Sequence, residues 1–170
     1  EKGFKTVRIF NFIAVAQQRQ GRLEDAVKSY QLAIATDPNY ADSYNNLANV
    51  LNDMDKVDQA LSYCNKALEI RPDYPEALNN KGTAFRKKSS LTDAIECYEK
   101  AIALNPNYGT PYSNLSNIYS ELGQDSKALA VLTQVPKIAK DFSTYSRIGH
   151  LCVALERWQE AYGSYSIASE

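Results

Sequence analysis

Histidine, tryptophan and methionine each occur once in this 170-residue chain, and cysteine three times. With His150 as the single histidine, His-based triads and multi-histidine metal sites are excluded within the chain. Cys64, Cys97 and Cys152 are odd in number and unevenly placed, so they form no disulfide frame. They read as small buried hydrophobes, and point to a reducing compartment, taken as cytoplasmic. No phosphate-loop glycine pattern appears. Charge of one sign is lacking too: 19 basic and 20 acidic residues leave a formal net charge of -1. Such a surface has no general attraction for nucleic acid. There is no apolar run long enough to span a membrane and no charged-then-apolar leader. The expectation is a chain that is not an enzyme and needs no cofactor and no metal. It begins at Glu1 rather than Met and stops at Glu170, inside an expected helix. It therefore reads as a piece of a longer protein, with room for a leader or a second domain outside it.

What the chain does have is a 34-residue echo. Pro38, Pro72 and Pro106 keep that step, as do Ala26, Ala60, Ala94 and Ala128, with Ala161 one residue short. Tyr30, Cys64, Tyr98, Leu132 and Tyr165 form a third series in phase with these. Ala33, Ala67, Ala101 and Ala168 form a fourth, with Val135 in the matching slot. Independent series sharing one period mean a stacked array of supersecondary units.

Each unit reads as two helices. Tyr44, Leu47, Ala48 and Leu51 fall on one helical stripe, and Val57, Ala60, Leu61, Cys64, Ala67 and Leu68 on a second. Asn52-Asp53-Met54-Asp55 separates them with turn formers. Pro72 ends the second helix and Pro75 opens the next. The repeats run at about 7–40, 41–74, 75–108, 109–141 and a truncated 142–170, as one array over 1–170. Gly21 marks the turn inside the first, and Pro136 cuts the second helix of the fourth. Ala14, Ala48, Gly82, Ser116 and Gly149 recur where paired helices must approach closely. Lys81 stands in a slot otherwise held by Ile13, Leu47, Leu115 and Ile148, so its stem is expected along the core edge. Asp42 and Glu76 are expected to complement helix N-termini, and Arg86-Lys87-Lys88 to be a solvated helix end. Asn46, Asn80 and Asn114 repeat in register, flanked by Asn45, Asn79, Asn49 and Asn117. A primary amide both donates and accepts, so it suits the C=O and N–H of an extended peptide. Packed helices lie roughly 8–10 Å apart and an extended chain rises about 3.3 Å per residue. Each Asn would meet about every third peptide residue, for about 1 kcal/mol per bond.

The chain resembles the tetratricopeptide repeat family, whose 34-residue unit carries an aromatic, Leu-Gly, Tyr, Ala, aromatic, Ala and Pro at set positions. The second repeat reads Tyr44, Leu47-Ala48, Leu51, Ala60, Cys64, Ala67, Pro72, and the third Leu78, Gly82, Phe85, Ala94, Tyr98, Ala101, Pro106. The resemblance implies an all-α, right-handed solenoid of about five helix-turn-helix repeats. It also implies a concave groove, lined by the first helix of each repeat, that takes a peptide or protein segment. The Asn ladder is similar to that of the O-linked N-acetylglucosamine transferase superhelix, although Phe12 and Arg147 break it in the first and fifth repeats. An alternative is therefore the substrate-recruiting arm of a larger enzyme, such as a glycosyltransferase. A self-associating scaffold, a homo-oligomer joined through the exposed terminal repeat, is another. The carboxylate clamp found in some members needs two lysines. Its matching slots hold Asn11, Val15, Asn46, Glu76 and Asn80 from the first repeat, and Asn79, Thr83, Asn114, Ser143 and Arg147 from the third. None of these is a lysine, which argues against a clamp.

Overall fold

The computed structural model describes residues 2–169, so the expectation about Glu170 lies outside the described residues. The α-helices among them follow one another two to a repeat, as the period requires. The first repeat holds α1 (Lys2–Arg19) and α2 (Leu23–Thr36), the second α3 (Ala41–Asp53) and α4 (Val57–Ile70). The third holds α5 (Pro75–Lys87) and α6 (Leu91–Leu104), the fourth α7 (Gly109–Glu121) and α8 (Asp125–Thr133), the fifth α9 (Phe142–Ala154) and α10 (Trp158–Ser169). No strand occurs among the described residues. Helix α1 starts ahead of the expected boundary at Val7. Helix α8 is the short one, with 9 residues. Pro136 follows it and leads into a 3-10 turn, Lys137–Ala139, because proline cannot extend the helical hydrogen-bond ladder.

The turn inside each repeat is the same object five times. Its residue with positive φ is Gly21 (75°), Asp55 (56°), Ser89 (61°), Gly123 (68°) or Glu156 (58°). The next residue's N–H returns to a carbonyl of the first helix: Arg22 to Gln17 (2.9 Å), Lys56 to Leu51 (2.8 Å), Ser90 to Phe85 (2.9 Å), Gln124 to Tyr119 (2.8 Å) and Arg157 to Cys152 (2.8 Å). That six-to-one bond across a left-handed residue is a Schellman closure, which satisfies helix-end carbonyls and turns the chain back on itself.

The chain forms two compact units, residues 1–97 and 98–170, divided within α6. In the first, Ala14, Ala26, Tyr30, Leu47, Val50, Leu51, Ala60 and Ala84 make one core cluster. In the second, Tyr112, Ala128, Leu129, Leu132, Val135, Ile148, Leu151, Cys152 and Ala161 make another. The periodic alanines at 26, 60, 94 and 128 are fully buried, so a methyl group is all that their helix crossings admit. At Gly149 even that is too much: a Cβ there would lie 2.6 Å from the Tyr165 ring. The three cysteines are free and buried. Burial pushes the Cys64 thiol up to about 12 and raises that of Cys152, which keeps both protonated and unreactive.

Lys81 is half-buried with its Nζ 5.8 Å from the centre of the Phe85 ring, its stem along the core edge as the sequence implies. The basic cluster after it does more than face solvent. The Lys87 ammonium donates to the carbonyl of Asn52 (2.6 Å) at the end of α3 and pairs with Asp55 (2.5 Å). Lys88 pairs with Asp58 (2.7 Å). The third repeat thus grips the turn of the second through a cation placed at a helix C-terminus.

Candidate functional site

In the first unit, α1 and α3 and the residues before α3 and α5 enclose a cleft of about 230 Å³. Arg8, Asn11, Phe12 and Val15 come from α1, Tyr40 and Tyr74 from the inter-repeat connections, and Asp42 and Asn46 from α3. Asp42 does not cap its helix by a side-chain bond. Its Oδ1 accepts from Tyr74 Oη (2.7 Å) and from Arg71 Nη1 (2.9 Å), and the Arg71 guanidinium lies 4.4 Å from the centre of the Tyr74 ring. Burial, and then the Asp42 carboxylate, raise the Tyr74 and Tyr40 hydroxyls, so both rings present protonated phenols. Phe12 is 66% exposed, with the Arg8 guanidinium 6.0 Å from its ring centre. The cleft joins aromatic walls to a carboxylate already neutralised by arginine.

The asparagines expected to form one ladder divide by environment. Asn46 is half-buried and lines the cleft; its Oδ1 accepts from Asn45 Nδ2 (3.3 Å), leaving its own amide N–H groups as donors. Asn80 is buried, and its Nδ2 donates to Asn45 Oδ1 (2.9 Å), joining α5 to α3. Asn45 and Asn79 are buried as well. Asn49 is half-buried and accepts from Gln18 Nε2 (2.8 Å), joining α3 to α1. In the second unit Asn114 and Asn117 are half-buried on α7. A separate cleft of about 550 Å³ in that unit is lined on α9 by Phe142, Ser143, Ser146, Arg147 and His150, with Asp125 beside it. The His150 Nδ1 lies 2.8 Å from the Ser146 carbonyl. A carbonyl only accepts, so Nδ1 carries the hydrogen and Nε2 remains for a ligand.

Sequence reasoning missed Arg8, Tyr40 and Tyr74 as cleft residues, and reached Asn11 and Val15 only as slots of a clamp. Asn11 Nδ2 donates to the Val7 carbonyl (2.9 Å) and to Ser43 Oγ (2.7 Å), while its Oδ1 is buried without a partner. The tyrosines did leave a signal, since Tyr40, Tyr74 and Tyr108 are spaced by the period. Among the described residues no cluster of His, Cys, Asp and Glu is arranged to hold a metal ion. No helix among them is long and apolar enough to cross a membrane.

Sequence profiles described as tetratricopeptide repeat match residues 39–107 and 86–151, and one described as TPR repeat matches 19–55. The chain belongs to the tetratricopeptide repeat family. No curated protein matches the sequence. Among solved structures, the pilF protein of Pseudomonas aeruginosa is similar with a TM-score of 0.87 at 17% identity, over 99% of this chain and 78% of that one. A thermophilic TPR protein of Thermus thermophilus is similar with a TM-score of 0.78 at 21% identity, over 95% and 89%. The first TPR of Spaghetti, solved with an HSP90 peptide, matches with a TM-score of 0.66 at 24% identity, over 70% and 94%. These likenesses establish the all-α TPR solenoid fold. Tetratricopeptide repeats serve as protein-interaction modules that bind peptide or protein partners, and the fold is typically non-catalytic.

Proposed function

We propose that this tetratricopeptide repeat chain, a single array of repeats, holds an extended protein segment along the first helices of its repeats. The α1–α3 cleft serves as an anchoring subsite in the first unit. The observation that carries this reading is the cleft itself, where the Asn46 amide donors stand beside the Phe12 and Val15 side chains and the Tyr40 and Tyr74 phenols. A peptide carbonyl accepts from Asn46 while an apolar side chain covers Phe12. Asn49 contributes a further polar contact in the first unit, Asn114 and Asn117 are the candidate contacts within the second, and Asn45, Asn79 and Asn80 act chiefly by fixing the helices that carry them. The Spaghetti structure, which holds a peptide on the same fold, supports the reading.

The test compares partners captured from a lysate by the wild-type chain and by Asn46→Ala and Phe12→Ala variants of unchanged thermal stability. Loss of the same partners from both variants is expected. Retention of every partner by both would remove the cleft from the mechanism. Asn80→Ala serves as a separate control for stability, because it strands a buried amide oxygen on Asn45.

A second reading, self-association, is favoured by two apolar edges. On α1, Ile9 and Ile13 are exposed, whereas Ser43 and Leu47, their equivalents in the next repeat, are fully buried. On α10, Trp158 and Tyr162 are also exposed. A constant monomer mass by light scattering across a wide concentration range would dismiss it.

A further inference from the structure

Helix α7 has a second face. At about 100° per residue, Tyr112, Leu115 and Tyr119 lie on the side opposite Asn114 and Asn117. They form the floor of a groove of about 370 Å³ between α6 and α8. We propose that this groove is a separate docking site for a protein segment that seats an apolar side chain on the floor and places an acidic residue at Lys127.

The groove has the size and lining of a built site. Its volume falls within the 300–1,000 Å³ or so of ordinary ligand pockets, which are mainly apolar with a few placed polar groups. The floor is rigid: Tyr112 and Leu115 are buried, and Tyr112 Oη donates to the Pro106 carbonyl (3.2 Å). The walls are Ile102 and Ala103 on α6, and Ala130 and Val131 on α8. Ala130 is what keeps the α8 wall low, since the equivalent positions in the first three repeats hold Lys28, Ser62 and Glu96.

The charges at the rim select the occupant. Lys127 on α8 has its Nζ 5.7 Å from the Tyr119 ring centre and makes no ion pair among the described residues. A carboxylate arriving beside the seated side chain gains that ammonium as a partner, next to a buried apolar floor where water competes less. Glu99 stands on the opposite wall and likewise has no ion pair among the described residues. The segment is thus apolar at its centre and acidic on the α8 side, and a basic residue on the α6 side would suit Glu99. Because the site lies on the face of α7 that turns away from Asn114 and Asn117, it does not depend on the peptide reading given above.

The test uses peptides selected from a random display library against residues 1–170, their binding measured by fluorescence anisotropy. The blocking variant is Ala103→Glu with Ala130→Lys, which installs residues that equivalent positions already carry as Glu69 and Lys28 and so preserves helix formation. We expect one class of selected peptides to carry an apolar residue next to an acidic one. That class should lose affinity by about tenfold or more in the blocking variant and in Lys127→Glu, and keep it in Asn46→Ala. Changing the peptide's acidic residue to lysine should restore binding to Lys127→Glu. If no selected peptide responds to the blocking variant, or if none is selected, the groove is not a docking site.

Discussion

Ser89 holds φ at 61° although it is not a glycine, and Asp55 and Glu156 do the same. A side chain in this left-handed region costs roughly 1–2 kcal/mol, part of which glycine offsets by its own loss of chain entropy. Ser89→Gly should therefore raise the unfolding free energy by about 0.5–1 kcal/mol. Gly123→Ala, in open space but at φ 68°, should lower it by about 1 kcal/mol. Urea titration of both variants checks the pair. Asp141 is a second single-residue lever. Its Oδ1 accepts from the backbone N–H of Thr144 (2.8 Å) and from Thr144 Oγ1 (2.7 Å), capping α9. Those bonds hold its carboxyl below the ordinary carboxylate value. The stability it contributes is complete above the unfolded-state value and is lost as pH falls through the lowered folded-state value. Asp141→Ala should cost about 1 kcal/mol near neutral pH, with the difference from wild type shrinking as the solution is acidified. Asp141→Asn, which can still accept from Thr144, should keep most of the cap without that pH dependence. Unfolding curves from neutral to acid pH distinguish the three proteins.

At the scale of helices, the pairing of α9 with α10 depends on one missing methyl group. Gly149→Ala puts a Cβ against the Tyr165 ring, which also meets the His150 ring edge-on at 5.5 Å. The helices must part or the ring must leave, and overpacking of this kind costs typically 1–3 kcal/mol. Tyr165→Ala in the same background should recover part of that loss, which thermal unfolding of the single and double variants would show. Helix pairing was the most legible property of the sequence, because series such as Ala26, Ala60, Ala94 and Ala128 mark contacts that repeat with the chain. The early end of α8 was legible from Pro136 for a covalent reason. Less could be read of what the side chains of one repeat do to the next. Lys87 looked like a helix-end cation, and its grip on the Asn52 carbonyl and Asp55 required knowing how the third repeat lies on the second. The asparagines were misleading in the same way. Equal spacing placed Asn46 and Asn80 in equal slots, yet Asn80 is buried by its bond to Asn45 while Asn46 borders a cleft.

Among the described residues, each repeat has its own turn closure, and the core divides into three clusters, the third made of Ala41, Ala67, Tyr74 and Ala77. Repeat arrays distribute stability among neighbours rather than pooling it in one nucleus. A lesion in α9 should therefore be felt locally. In Gly149→Ala, amide hydrogen exchange should quicken in α9 and α10 while α1 to α3 keep wild-type protection. Uniform acceleration through all the described helices would instead show that the chain unfolds as one cooperative body. The near-neutral charge, legible from composition alone, told little about binding, because the distinguishing groups are local: Arg8 and Asp42 in one cleft, Arg147 and His150 in another.

The chain departs from its 34-residue period once, and it does so between α8 and α9 rather than inside a turn. Four residues link α2 to α3, whereas eight, from Gln134 to Asp141, link α8 to α9, and α8 is shorter by five residues than α2. The link inside a repeat behaves as fixed hardware, and the link between repeats as an adjustable joint. Engineering should respect that division. A cleavage site, a fluorophore tag or a foreign loop belongs in the stretch between Thr133 and Phe142, where the sequence has already exchanged helix for connector, at exposed Lys137 rather than at buried Val135 or the capping Asp141.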